Sequence, residues 1–429
     1  MKKFLGILLL ICTQNLHGTL TLDNSVVIAL ANRKNLKALA YQTKAFKSLQ
    51  AEAMSGYLPQ LNINAFVGRT CNPGFTSIVG NPCVGSCDPE QFVLIRASQL
   101  IFDPAGPVQQ YNIRKQDTIA SDNELILDSK LVRFRTEVAF LQAWLIKERK
   151  KVIDALHVAA QSVFDRQKHR REVNLIGLED WLQAISEYRR GMANVENYHE
   201  EMAIALFTFE REIGYPNSIG SLNNIILDWN PQKIWSFHLK TIDLYYDLAK
   251  KNRNEFMIKD ALAERERLLQ RFELLSYLPS VSFVADVIRD NLKKNNCAVG
   301  LRFDWEAFDG FAKLNRASAA GARSTQECME KENQEQTVLL EVQRVFHELR
   351  TLFHNLKPER AKYLEALNTF ALQKLQREVG LLSAVDFDVA YFNVRTAEFN
   401  WISFLTSIAI KERELYFITG YPVRLVGAL

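Results

Sequence analysis

The sequence lacks the long apolar runs that a helical membrane protein needs. After residue 18 no segment has 18 uninterrupted apolar residues, whereas about 20 are required for a helix to cross a bilayer. The 7 histidines are scattered, and no Ser/His/Asp set, phosphate-binding loop or metal-ligand spacing occurs. The net charge is only +4, and the basic residues are interspersed with acids on amphipathic segments. These absences argue against a helical membrane bundle, an enzyme or cofactor-dependent protein, and a nucleic-acid-binding protein.

Residues 1–18 have the pattern of a secretory signal peptide. Lys2 and Lys3 precede an apolar core from Phe4 to Cys12, which is too short to span a bilayer. No small residue precedes Cys12, so this pattern favours a cleaved signal over a lipid-modified cysteine, although both stay open. We therefore expect an exported protein without a membrane-spanning helix.

Cysteine is scarce, with 6 residues in the whole chain, but three of them lie close together. Cys71, Cys83 and Cys87 fall in one loop that is rich in glycine, proline and asparagine. In an exported protein this clustering predicts one disulfide that staples the loop, without determining which two residues pair. A zinc site is the disfavoured alternative, because no histidine lies nearby and the spacing fits no zinc template.

Two matching stretches indicate that the chain is built twice on one plan. Residues 54–67 and 274–287 both contain Tyr-Leu-Pro, and the prolines are 279 − 59 = 220 positions apart. The same offset relates Thr-Leu-Asp at 21–23 to Thr-Ile-Asp at 241–243. Because the residue before a proline is pushed out of the helical region, each Tyr-Leu-Pro predicts a switch from helix to strand.

After each proline, apolar and polar residues alternate as in a strand with two different faces. Return strands are predicted at about 92–101 and 299–306, which gives two β-hairpins. Their strands of about 10 residues have the length that crosses an outer membrane. Four strands cannot close a barrel, and an open edge is not tolerated in lipid. We therefore expect the chain to borrow strands from other copies of itself.

Helical patterns fill the rest of each half. Two long patterns cover 105–170 and 309–376, and a glycine follows each, Gly177 and Gly380. Shorter patterns cover 23–55, 178–213, 243–275 and 385–419. The predicted fold class is thus mainly α with a small β part, made of two internal repeats with long helical hairpins and four strands. The predicted segments are a signal peptide at 1–18, a first repeat at 19–216, a linker at 217–237 and a second repeat at 238–429.

In this order the motifs resemble the TolC-type outer-membrane efflux protein family over essentially the whole mature chain. The motifs are the doubled Tyr-Leu-Pro, the Phe-Asp steps at Phe102 and Phe308, the glycine turns and the closing Gly-Tyr-Pro at 214–216 and 420–422. The resemblance implies a homotrimer that forms an α-barrel in the periplasm, topped by a 12-stranded β-barrel in the outer membrane. It also implies a passive export duct that docks a periplasmic adaptor protein and an inner-membrane transporter.

The resemblance places the turns between long and short helices at the periplasmic tip, which docks the adaptor. Residues 379–381, Val-Gly-Leu, resemble the tip motif of the family, whereas no valine precedes Gly177. Both glycines could instead serve only as helix C-caps. The implied docking residues are Val379, Gly380, Leu381, Ser383, Gly177 and Leu178.

Family members often carry an aspartate six residues after this glycine, near the pore constriction. Asp386 stands there, Asp388 is close, and Asp180 follows Gly177 by only three residues. Asp386 and Asp388 could alternatively cap the N-terminus of the following helix.

The two arginines at matching places in the return strands, Arg96 and Arg302, are candidates to face the lumen, or they could pair with Asp304 and Glu306. The alternative function is a periplasmic coiled-coil or adaptor-like structural protein without a pore. The sequence does not indicate whether the cargo is a drug, a metal or a protein.

Overall fold

The computed structural model describes residues 19–71, 87–214, 226–231, 239–290 and 295–420, and this part of the chain is mainly helical. Its helices are α1 (Leu22–Asn32), α2 (Lys34–Ser55), α3 (Pro107–Glu172), α4 (Leu178–Ile213), α5 (Ile242–Asn252), α6 (Asn254–Leu275), α7 (Ala312–Glu378) and α8 (Ala384–Ile418). Its strands are β1 (Thr19–Thr21), β2 (Gln60–Cys71), β3 (Cys87–Phe102), β4 (Ile226–Asp228), β5 (Ser280–Asp290) and β6 (Asn295–Asp304). None of these helices combines the length and the apolar character that crossing a membrane requires.

Some predicted segments lie outside the described residues. They are the signal peptide at 1–18, Cys83, and most of the linker at 217–237.

The long helical patterns appear as α3 with 66 residues and α7 with 67, close to the predicted bounds. The shorter patterns at 23–55 and 243–275, by contrast, are each interrupted. The breaks fall at Arg33 and Arg253, whose ψ angles of 116° and 122° leave the helical region. Each expected single helix is therefore two helices, α1 with α2 and α5 with α6.

A glycine packs against each of these breaks. Gly214 and Gly420 have left-handed φ angles of 67° and 62°. A Cβ on Gly420 would lie 2.6 Å from the carbonyl oxygen of Asn252, and one on Gly214 would lie 3.3 Å from the Cβ of Asn32. The left-handed φ angle favours glycine at both positions, and at Gly420 the close approach of the Asn252 carbonyl also requires it. This explains why the first residue of each Gly-Tyr-Pro is glycine.

The chain divides into two compact units. The helical unit comprises Met1–Ala38, Ile126–Asn254 and Glu335–Leu429, and the sheet unit comprises Leu39–Leu125 and Glu255–Gln334. In the helical unit, the fully buried Phe140 and Phe209 meet edge to face with ring centroids 5.6 Å apart. Trp229, which follows β4, packs on Trp144 at 4.7 Å. Trp229 therefore packs this part of the linker against α3.

The sheet unit contains an antiparallel sheet with the strand order β2-β3-β5-β6. Residues that lie opposite one another in the register share a face. One face is largely polar and includes Asn62, Arg96, Asp286 and Ala298. The other is largely apolar and includes Ile63, Ile95, Val287 and Cys297. The sheet therefore has the two distinct faces that the alternation predicts, although β6 ends at Asp304 and excludes Trp305 and Glu306.

Candidate functional site

The turn between α7 and α8 is closed by two backbone hydrogen bonds around Gly380. The N–H of Gly380 donates to the carbonyl oxygen of Arg377 at 3.1 Å, and the N–H of Leu381 donates to that of Gln376 at 2.8 Å. This is a Schellman motif, and the left-handed φ of 79° at Gly380 completes it. No described atom lies within 4 Å of a Cβ built there, so the φ angle alone favours glycine.

The turn between α3 and α4 has the same bonds but uses a different residue. The left-handed position is Asn174, with a φ of 57°. Its N–H donates to the carbonyl oxygen of Arg171 at 3.0 Å, and the N–H of Leu175 donates to that of Arg170 at 2.7 Å. Gly177 has a φ of −71° and is the N-cap of α4. The alternative that Gly177 is a helix C-cap is therefore wrong. Asn174 takes the left-handed position instead, because asparagine also tolerates this region.

Both turns expose large apolar side chains. Exposed fractions run from 60% to 79% for Val173, Leu175, Leu178, Val379 and Leu381. A cluster of exposed apolar side chains on a turn is a common mark of an interaction surface. We call these five residues the apolar turn surface.

Asp386 lies in the first turn of α8 and makes contacts on two sides. The Ser383 hydroxyl accepts a hydrogen bond from the Asp386 backbone N–H at 3.1 Å and donates to its carboxylate at 2.6 Å. Arg166 on α3 donates to the other carboxylate oxygen at 2.9 Å. The Ser383 hydroxyl and the Arg166 guanidinium together hold the pKa of Asp386 below its ordinary value of 3.8. Ser383 is therefore the N-cap of α8, and Asp386 lies in the first turn as the partner of that cap and is not the capping residue itself.

Asp388, two residues after Asp386 on α8, also binds a side chain of α3. Its carboxylate accepts a hydrogen bond of 2.5 Å from the hydroxyl of Ser162, which lies four residues before Arg166 on α3. The carboxylate latch, as we name it, consists of Ser162, Arg166, Asp386 and Asp388. It ties a helix of the first half to a helix of the second half.

Asp180 is not part of the latch. It lies on α4 and lines a cavity of about 350 Å³ together with Gln167 and Arg170. Gly177 makes no side-chain cap hydrogen bond, so Asp180 has no counterpart of the Ser383 contact.

Aromatic side chains pack each pair of long and short helices together near its turn. Phe164 on α3 stacks on Trp181 and Tyr188 of α4, with ring centroids 5.5 Å and 4.5 Å apart. In the other pair, Phe370 on α7 meets Phe387 of α8 at 5.5 Å and Tyr391 at 5.9 Å. The apolar turn surface and the latch therefore rest on two well-packed hairpins.

The two arginines predicted for the lumen each hold a carboxylate. Arg96 donates through Nε and Nη2 to the two oxygens of Asp286, each at 2.8 Å, because the two residues lie directly opposite in β3 and β5. The alternative that Arg96 pairs with Asp304 or Glu306 is wrong. Arg302 donates to Asp304 at 3.0 Å, as that alternative expected.

No family model matches the chain, and no curated protein matches its sequence. Several solved structures match it, and each of the three named next is similar to 93% of this chain. They are the Campylobacter jejuni CmeC outer membrane channel (15% identity, 85% of that chain, TM-score 0.75), the Vibrio cholerae outer membrane protein VceC (12%, 96%, 0.72) and the Neisseria gonorrhoeae MtrE outer membrane channel (13%, 88%, 0.70). The chain has the fold of the outer-membrane channels. This fold agrees with the resemblance to the TolC-type family. At identities of 12% to 15%, the likeness to these structures shows the fold alone.

Within this channel fold, a constant offset relates the two turns. Positions 174 and 380 differ by 380 − 174 = 206, and so do 177 and 383, and 180 and 386. The counterpart of Val379-Gly380-Leu381 is thus Val173-Asn174-Leu175, and not the segment around Gly177. The direct comparison of Gly177 with Gly380 missed Val173 and Leu175. The same offset of 206, from Phe102 to Phe308, is the signal that identifies them.

The cysteine cluster is described only in part. In the backbone register Cys71, the last residue of β2, lies directly opposite Cys87, the first residue of β3. Cys83 lies outside the described residues. Cys297 and Cys328 are free thiols.

Proposed function

We propose that this chain is the passive export duct of a tripartite efflux or type I secretion system, located in the outer membrane and extending into the periplasm. Three copies would combine their four-stranded sheets into a 12-stranded barrel. A periplasmic adaptor protein and an inner-membrane transporter would complete the path. The channel fold supports this proposal, and no catalytic group is assigned to it.

The two-faced sheet is the observation that carries the proposal. On its apolar face, the exposed fractions of Leu61, Ile63 and Val299 are 64% to 70%. Exposing these apolar side chains to water is unfavourable, and contact with lipid would remove that free-energy cost. The polar face holds the Arg96–Asp286 pair. The described sheet ends at β2 and β6, whose free edges call for strands from neighbouring copies.

The apolar turn surface supports adaptor docking. We propose that Val379, Gly380, Leu381 and Ser383 dock the adaptor together with Val173, Leu175, Gly177 and Leu178. Burial of these side chains against a partner would be favourable by about 25 cal/mol per Å² of apolar area.

The carboxylate latch supports a gate. We propose that Asp386 and Asp388 hold the closed constriction by binding Arg166 and Ser162, and that adaptor contact favours the state without these bonds. Asp180 belongs to the first turn and is proposed as a lesser member of the constriction. Arg96 and Arg302 are proposed to face the lumen.

Two arginine substitutions on adjacent residues of β6 test the duct. Val299 lies on the apolar face and Gly300 on the other face, so V299R and G300R introduce the same charge on opposite sides. Arginine facing lipid near the membrane centre costs about 2–4 kcal/mol in a barrel, whereas arginine facing water costs little.

We expect V299R to lose SDS-resistant trimers and outer-membrane recovery, and G300R to keep both. Wild-type protein should also form pores in planar bilayers. Recovery of the wild-type protein in the soluble periplasmic fraction would instead favour the structural protein without a pore. Equal behaviour of V299R and G300R would contradict the assignment of the faces.

A further inference from the structure

The β2–β3 hairpin carries a pair of cysteines at the end of its ladder. The register runs from the pair Gln60–Ser98 to the pair Cys71–Cys87 without a shift. The positions between Cys71 and Cys87 lie outside the described residues, so the cysteine pair is the last described pair of the hairpin.

The two-faced pattern excludes a slip of this register by one residue. Ile63 lies opposite Ile95 on the apolar face, and Asn62 lies opposite Arg96 on the polar face. A slip by one residue would exchange the faces of one strand, which would move Ile95 to the polar side. The unbroken ladder that starts at the pair Gln60–Ser98 places Cys71 opposite Cys87.

Opposite residues of an antiparallel ladder meet the distance requirement of a disulfide. Their Cα atoms are about 4.5 or 5.5 Å apart, depending on the type of pair, and they share a face. Disulfides join Cα atoms about 4.4–6.8 Å apart. The Cα distance of either type of pair lies within this range.

We propose that Cys71 and Cys87 form a disulfide that closes the outer end of this hairpin, and that Cys83 stays a thiol. The proposal relies on the exported location in the proposed function, because the bond requires an oxidising compartment. Of the alternatives that the sequence leaves open, only this pairing has support from the register.

The bond forms by thiol–disulfide exchange with a protein disulfide oxidant of that compartment. The thiolate of one cysteine attacks the disulfide of the oxidant, which gives a mixed disulfide and releases one thiolate of the oxidant. The thiolate of the second cysteine then attacks the mixed disulfide, forms the Cys71–Cys87 bond and releases the other thiolate. The two electrons end on the oxidant, which becomes a dithiol, and the two protons of the cysteines are released or taken up by it.

Counting thiols tests the pairing. Thiols are trapped in whole cells with a permeant maleimide, the outer-membrane fraction is denatured, and samples with and without reduction receive a mass-tagged maleimide. Wild type should gain two tags on reduction. C83S and the matched control C297S should also gain two, whereas C71S/C83S and C83S/C87S should gain none.

The proposal is overturned if C83S gains no tag, since Cys71 and Cys87 would then not be bonded to each other. It is also overturned if either double variant still gains two. Because the outer-membrane fraction is the starting material, these results judge the disulfide separately. A protein absent from that fraction would contradict the export duct, and the disulfide with it.

Discussion

Breaking the carboxylate latch should open the proposed duct without unfolding it. The double variant S162A/R166Q removes both groups that α3 offers to the carboxylates of α8. It leaves Asp386 and Ser383 in place, so the N-terminal cap of α8 is kept. The expected effect is therefore on the balance between closed and open states, and not on helix formation.

The contacts give the size of this effect. Arg166 and Asp386 are 38% and 50% exposed, so their ion pair contributes about 0.2–1 kcal/mol. The hydrogen bond from Ser162 to the carboxylate of Asp388 contributes about 1.5–3 kcal/mol, as bonds to charged groups do. If both are lost on opening, the closed state loses about 2–4 kcal/mol per chain, which is a change of about 30- to 700-fold in the ratio of open to closed.

Single-channel recording in planar bilayers measures this ratio. S162A/R166Q should spend far more time in the conducting state than wild type. K362Q is the matched control, because it removes one positive charge from the ion pair between Lys362 and Glu359 within α7 and leaves the latch untouched. Wild-type open probability in S162A/R166Q, with trimers intact, would refute the role of the latch.

Five further outcomes are expected. Export should fall in L175D and in L381D while SDS-resistant trimers persist, and normal export in either would remove that residue from the docking surface. G380V should lower the free energy of unfolding by about 1 kcal/mol or more, because the φ angle of Gly380 is 79°. N174G should leave this free energy unchanged or raise it, and melting curves measure both effects. D386A should raise conductance. Because the pKa of Asp386 lies below 3.8, its carboxylate stabilises the closed state fully at pH values above 3.8 and loses this effect as the pH falls through the lowered pKa. The conductance should therefore stay constant from pH 8 to about 5.

Periodicity and the two offsets predicted most of the helices and strands, but not the breaks at Arg33 and Arg253. Neither the Asn-Arg pair at 32–33 nor that at 252–253 contains a residue that ends helices strongly. The breaks coincide with the approach of Gly214 and Gly420, which are distant in sequence. A helical pattern read locally cannot show such a contact.

The candidate site was predicted in part for a similar reason. Glycine is the usual residue at a left-handed turn position, so the sequence alone favours Gly177 over Asn174 there. The partners of Arg96 and Asp388 depend on strand register and helix packing between residues 190 and 226 positions apart. Spacing along the chain identifies these charged residues as candidates but does not indicate which residues pair with them.

The pairing of β3 with β5 has a consequence for biogenesis. The residues that meet in it, such as Arg96 and Asp286, are 190 positions apart, so the second hairpin must be synthesised before the first can find its neighbour. Until then the β2–β3 hairpin exposes a free edge and an apolar face, which invites aggregation. A chain exported as proposed should therefore depend on a periplasmic holding chaperone for the interval between the two hairpins.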